Sequence, residues 1–345
     1  MAVFAGHELQ WSSIAQGLSR DLALCQGHCG SQSAHWGAAT RINWIGETGT
    51  FRGCMIDRTT KLKLLELEDL PTLPEVVTQI LRITDDDLSS AHELGTAVEM
   101  DHVISAHVLQ IANSAFYGLA HKVETVRAAV VVLGFDTVRS LALATSVFGA
   151  FHKAEQFALN PRDFWLHSLG AAKAAHLLAK NRTGLATPAS LFTAGLMHDL
   201  GKYVLALALH EEYGRAVRMA REEDIPLEVV ERRILATTHA EVGAWLAERW
   251  HFPPIFVDCI EHLYSYASHP GPFAQEAALI ALADMLSRVA GFGSAGDPNP
   301  QGLPDDLLDR LDLSQQCIVE TVETMVALRD DTERLLDILA GNNQA

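Results

Sequence analysis

The segment Thr187 to Leu209, TPASLFTAGLMHDLGKYVLALAL, constrains the fold more than any other stretch. Thr187 can N-cap a helix, and Pro188 stands at the first helical position, where its missing N–H costs nothing. From Leu191 to Leu209 almost every residue is apolar or small, so the segment reads as one helix buried on most of its faces. Its centre nevertheless carries His198, Asp199 and Lys202. A buried carboxylate beside an imidazole is costly unless it is paired, hydrogen-bonded or bound to a cation. The rest of the chain must therefore bring polar groups to this helix.

With 345 residues, 48% of them hydrophobic and 20% charged, the chain reads as soluble and globular, with length for a sizeable core. A formal charge of −17 argues against direct binding to nucleic acid or to an anionic membrane, both of which need a basic surface. No apolar run reaches the length of a bilayer span, and the first residues lack the pattern of a signal peptide. Five cysteines do not make a disulfide framework, so a reducing cytoplasm is the expected compartment. Sixteen histidines exceed ordinary usage, but only their positions carry information.

Residues 1–60 differ from the remainder of the chain. They hold three of the six tryptophans, three of the five cysteines and eight of the 24 glycines, without helical periodicity. Their four acidic and four basic residues cancel, so the net charge belongs to residues 61–345. Cys25, His28 and Cys29 form a C-x-x-H-C cluster without the second ligand pair of a zinc finger. Free cysteines in an unfolded stretch are the simpler reading, and a start at Met55 with mis-assigned upstream translation is the alternative.

From Leu64 onward the pattern is helix after helix, an all-α chain. A first helical unit spans 64–152, with Asp101, Thr125 and Asp136 as N-caps and Gly134 as a stop. A second unit spans 160–290 and contains His167 on its first helix, then the Thr187–Leu209 helix. Thr238 with Glu241 makes a capping box that places His239 at a helix start. His262 stands near the end of a later helix, and Asp284 is the one charge in ALIALADML. Residues 291–306, GFGSAGDPNPQGLPDD, read as a flexible linker. Helices near 304–312 and 314–340 close the chain, the last with an apolar stripe of Val319, Val322, Val326, Leu335 and Leu336 for packing on the body or for a homodimer.

Taken together, His167, His198, Asp199, His239, His262 and Asp284 offer imidazole and carboxylate ligands from separate helices. That mixture suits a divalent transition ion, iron or manganese first, zinc or nickel also, better than calcium or magnesium. If His167, His198, Asp199 and Asp284 hold one ion, Asp199 can bridge to a second held by His239 and His262. Two ions can polarise a phosphoryl oxygen and generate a bound hydroxide. In an enzyme, Lys202 can neutralise phosphate charge. A histidine such as His167 or His262 taken alone reads more readily as an ordinary core or surface residue than as a ligand. Asp284 in an apolar helix does not.

The order His167, His198-Asp199, Asp284 resembles the H…HD…D metal pattern of the HD phosphohydrolase superfamily. LPTLPEVV at Leu70–Val77, IANSAFYG at Ile111–Gly118, VRAAVVVLGFDTVRSLAL at Val126–Leu143 and LFTAGLMHDLGKYVL at Leu191–Leu205 resemble, more specifically, the HDOD domain of bacterial signalling proteins, over about residues 66–270. The resemblance implies two packed helical units plus C-terminal helices, and a cytoplasmic regulatory role exercised on a signalling protein partner. It also implies that His239 and His262 match second-metal positions of binuclear superfamily members. The HDOD family generally lacks consistent catalytic residues, which argues against an enzyme, yet this chain keeps every candidate ligand. After His262 it reads LYSYASHPGPF, without the glycine-tyrosine-proline segment of cyclic-di-GMP phosphodiesterases. The alternative function is a metal-dependent phosphohydrolase acting on a nucleotide or cyclic dinucleotide. The IANSAFYG segment reads as packing between the two units, or as a groove for a ligand.

Overall fold

A computed structural model of the chain describes residues 75–84, 91–114, 117–151, 159–180, 182, 184–298, 300 and 302–340. The C-x-x-H-C cluster, Met55, residues 70–74 and Ala115–Phe116 lie outside the described residues. Among the described residues, 75% are helical and none is in a strand. No helix among them is long and apolar enough to cross a membrane.

Helices α1 (Glu75–Thr84), α2 (Ala91–Glu99), α3 (His102–Ala112), α4 (Val126–Leu133) and α5 (Phe135–Phe151) come first. Asp101 caps α3 by accepting from the N–H groups of Val103 and Ile104 at 2.9 and 3.0 Å. Thr125 caps α4, which ends at Gly134 with φ 89°. Asp136, expected as the next cap, instead lies in the first turn of α5 and pairs with Arg139 at 3.2 Å. Asn113 ends α3, and its side-chain amide exchanges two 2.8 Å hydrogen bonds with the backbone of Val123, bracketing the loop between them. Val138, Leu141, Leu143 and Val147 bury α5, whose neighbours include α3 on one hand and α7 (Pro188–Met197) on the other.

The second part is built on α6 (Pro161–Ala179), which lies between α7 and α13 (Ala274–Val289). Between them run α8 (Leu200–Ala208), α9 (His210–Glu223), α10 (Leu227–Leu235), α11 (His239–Arg249), α12 (Pro254–Glu261) and a 3₁₀ turn, Tyr266–Ser268. The single helix expected over 187–209 is two helices. α7 ends at Met197 and α8 begins at Leu200, with Asp199 between them at φ −102°, ψ 7°. The carbonyl of Gly195, which an unbroken helix offers to Asp199 N–H, accepts from His198 Nδ1 at 2.7 Å. The break thus follows from the histidine that makes the segment unusual. Beyond it, α8 crosses α11 so closely that a Cβ on Gly201 would overlap the carbonyl oxygen of His239.

Three helices close the chain: α14 (Asp305–Leu311), α15 (Gln315–Ala327) and α16 (Arg329–Leu339). The long last helix expected over 314–340 breaks at Leu328, whose carbonyl accepts from Lys173 Nζ on α6 at 3.2 Å. Ile318, Val322, Met325, Leu335, Leu336 and Leu339 are buried, and α15 and α16 pack on α6. Of the expected apolar stripe, Val322, Leu335 and Leu336 are buried within the chain, while Val319 and Val326 are half-buried.

The segment expected to be a flexible linker is packed. Phe292, Ala295 and Leu303 are buried, and Ser294 N–H donates to the carbonyl of Asp163 at 3.1 Å. Gly293, at φ 58°, approaches Asp163 so nearly that any side chain there would overlap its carbonyl. Glycine and proline here give close contact rather than freedom.

Candidate metal centre

The break between α7 and α8 turns His198 and Asp199 toward His167 of α6 and Asp284 of α13. His167 Nε2 lies 3.3 Å from His198 Nε2 and 3.1 Å from Asp284 Oδ1, while His198 Nε2 is 3.8 Å from the same oxygen. Asp199 Oδ2 approaches both imidazoles, at 3.5 Å from His167 and 3.3 Å from His198. All four side chains are at most 6% exposed.

These distances fit one ion. Bonds of about 2.0–2.2 Å place neighbouring ligand atoms roughly 3.0–3.5 Å apart. His167, His198 and Asp284 each offer an atom within 4.8 Å of the other two. His198 also has the outer hydrogen bond that metal-ligating histidines use, since donation from Nδ1 to Gly195 leaves the Nε2 lone pair facing the centre. Asp199 stands outside that mutual set, and its Oδ1 is a buried oxygen with no hydrogen bond.

Two cations that the sequence pattern does not mark as internal partners neutralise the carboxylates. Lys202 Nζ donates to Asp199 Oδ2 at 2.9 Å and to Asp297 Oδ2 at 2.5 Å. Arg288 Nη2 donates to Asp284 Oδ2 at 2.5 Å, and its Nη1 to the carbonyl of Pro298 at 2.8 Å. Lys202 is 1% exposed, and its ammonium is engaged by two buried carboxylates. Asp297 belongs to the packed 291–298 segment, and its Oδ1 also accepts from Leu227 N–H at the start of α10.

His239 is fully buried at the start of α11, where the capping box of Thr238 and Glu241 is formed as its spacing requires. Glu231 Oε2 accepts from its Nδ1 at 2.7 Å and from its backbone N–H at 2.8 Å. Its Nε2 faces Asp199 Oδ1 at 3.5 Å and the hydroxyl of Tyr264 at 3.1 Å. His262 is elsewhere. It caps α12, half-buried, and its ring stacks on His269 with centroids 3.8 Å apart. The expected pairing of His239 with His262 about a second ion is thus not formed. Tyr264, two residues further along the loop, reaches His239, while His262 turns toward His269.

The charges follow from this packing. Burial works against a charged His198, but Asp199 and Asp284 outweigh it and raise its pKa to about 10. His167 goes the other way, its pKa lowered by burial despite Asp284. Against the cost of burial, Asp199 is held well below the carboxylate range by His198 and Lys202, and Asp284 by Arg288 and His167. His239 is raised, with Glu231 overcoming burial. The potential that can hold a metal ion therefore also holds a proton on His198.

Glu231, Tyr264, Arg288 and Asp297 are not identified by the sequence pattern. Arg288 lies one turn beyond Asp284 on the same helix, a spacing that could have identified it. Asp297 carries no such signal, because it sits in a glycine- and proline-rich stretch remote from its partners in sequence.

A model of the HDOD domain matches residues 70–266, more than half of the chain. The chain belongs to the HDOD domain family. Among solved structures, it is similar to an HDOD domain protein of unknown function from Geobacter sulfurreducens, with 26% identity, a TM-score of 0.69, and coverage of 81% of this chain and 96% of that one. It is also similar to a protein from Marinobacter aquaeolei VT8 named for signal transduction, with 25% identity, a TM-score of 0.69, and coverage of 82% and 65% respectively. An uncharacterized protein of Treponema pallidum (strain Nichols) is 24% identical over 272 residues, 78% of this chain. The chain spans about half, 52%, of that relative's length. HDOD membership agrees with the all-helical architecture and with the motifs at 111–118, 126–143 and 191–205 that pointed to it.

Proposed function

We propose that this HDOD chain is a cytoplasmic regulatory module that acts on a signalling protein partner, with one divalent transition ion held structurally at His167, His198 and Asp284. Asp199 and His239 are its neighbours. The mixed nitrogen and oxygen donors favour iron or manganese, with zinc or nickel next. The observation that carries this reading is the closure of the centre. His167, His198, Asp199, Lys202, His239 and Asp284 are each at most 4% exposed, and Lys202 and Arg288 already neutralise the two aspartates. A phosphoester needs access and uncommitted positive charge. The name of the Marinobacter relative is consistent with a signalling role.

The centre is also tied to the first helices. His198 caps the end of α7, and Thr193 on α7 donates to the carbonyl of Ser140 on α5 at 3.0 Å. A change at the ion shifts α7 and is felt by α5, which gives a route from the centre to a partner-binding surface on the first unit. The second reading, a phosphohydrolase of nucleotides or cyclic dinucleotides, is supported by the retained donor set. A bound ion there would supply a polarised phosphoryl oxygen and an acidified water.

The test is metal analysis of protein purified without chelator, followed by a screen of phosphomonoesters, nucleotides and cyclic dinucleotides with manganese or iron supplied. We expect near-stoichiometric transition metal and no turnover. Turnover that His198→Ala abolishes would replace the regulatory reading with the enzymatic one, and absence of metal would remove the ion from both.

A further inference from the structure

The histidine that leaves the buried centre enters another cluster. Asp258 and His262 are four residues apart at the end of α12, and so share one face. The chain then passes through Ser265 and the 3₁₀ turn and returns His269 against them. His269 Nε2 is 2.7 Å from Asp258 Oδ2, and the two imidazoles stack 3.8 Å apart with their planes inclined by 21°. One donor atom from each of Asp258, His262 and His269 lies within 4.8 Å of the other two. Asp258 and His262 are half-buried, so unlike the centre at His198 this cluster is open to water on one side.

We propose that Asp258, His262 and His269 form a second site for a divalent transition ion, with zinc as the probe ion. Two imidazoles and one carboxylate are a donor set that borderline ions favour, and three protein ligands at a surface leave a position for water. One outer contact is in place: Ser265 Oγ is 3.0 Å from His262 Nδ1, which engages that nitrogen and leaves Nε2. Gly271 N–H, a donor 3.4 Å from His269 Nδ1, gives up that contact when Nδ1 takes the ring proton and Nε2 takes the ion. Gly271 also keeps the space over the donors clear, since a Cβ there would lie 3.0 Å from His269 Nε2 and 3.3 Å from Asp258 Oδ2.

His262 is held toward its neutral, ligating form by burial and by His269. On binding, the ion takes the place of the proton between His269 Nε2 and Asp258 Oδ2, and that proton moves to His269 Nδ1 so that the ring stays neutral. The pair then opens from 2.7 Å toward the ~3 Å edge that bonds of about 2.0–2.2 Å impose, and the two stacked rings turn apart so that both nitrogen lone pairs face the ion. The ion would staple the loop that also carries Tyr264, whose hydroxyl contacts His239 at the buried centre.

The experiment compares the full chain with His262→Gln and Asp258→Asn, each stripped with chelator, dialysed against zinc, and assayed for zinc content and affinity. The buried centre and the cysteines of residues 1–60 contribute equally in all three, so the difference isolates this site and is independent of the proposed function. The expected result is one equivalent fewer in each variant, or that equivalent weakened by about 100-fold or more, with the helical circular dichroism unchanged. Equal zinc content and affinity in folded variants overturns the proposal. If both variants unfold, zinc-dependent protection of His262 from diethylpyrocarbonate in the unaltered chain decides it, absence of protection counting against the site.

Discussion

Asp199 accepts from Lys202 through one oxygen and faces His239 with the other, while His198 carries the charge that its two aspartates impose. These charges set the sign of the pH response. In chelator-treated protein the folded pKa of His198, about 10, lies above the ordinary value of 6.5. Its contribution to stability is complete below pH 6.5 and is lost as pH rises toward about 10. His239, raised in the folded state, contributes with the same sign. His167, His176 and His262, lowered by burial, contribute with the opposite sign as pH rises through 6.5, and Lys173, lowered by burial to about 8, does so between pH 8 and its ordinary 10.5, so the informative window is about pH 7–8. Urea melts across that window are expected to lose stability by on the order of 1.4 kcal/mol per pH unit from His198. A flat or rising profile would remove the charge from His198. With metal supplied the trend reverses, because ligands that have lost their protons bind the ion more tightly.

Between elements, stability is set by a few close crossings. Gly201 on α8 meets the backbone of His239 and Gly243 on α11, whereas Gly214 on α9 has only the end of the Arg218 side chain near the place of a Cβ. Gly201→Ala is expected to destabilise by about 1–3 kcal/mol or more, because a carbonyl cannot move aside as a side chain can. Gly214→Ala is the control, expected to be neutral or stabilising by about 0.4–1 kcal/mol. Thermal melts of the two variants test the comparison. Equal effects would mean that the α8–α11 crossing is looser than its distances imply. The same crossing sets His239 opposite Asp199, so Gly201→Ala should also weaken metal retention.

At the scale of the whole molecule, the proposed ion, with donors from α6, the α7–α8 junction and α13, would tie three helices together. Manganese at 100 times its dissociation constant is expected to add about 2.7 kcal/mol of stability. The increment is read as a melting temperature that rises with metal and falls with chelator, and His198→Ala should abolish it. A metal-independent melting temperature in the unaltered chain would overturn the structural role of the ion.

Local patterns are enough for the helical class, the caps at Asp101, Thr125 and Thr238, and the need of His198, Asp199 and Asp284 for polar partners, whereas His167 joined them through the order that resembles the HD superfamily. The former are consequences of periodicity, capping chemistry and the cost of burying charge, all local or nearly so. The tertiary structure decided the rest of the Thr187–Leu209 segment. It broke the helix at His198, sent His262 to Asp258 and His269, and folded residues 291–298 over the centre so that Asp297 meets Lys202. Such partners lie far apart in sequence, and only the packing of the helices fixes which buried charge finds which.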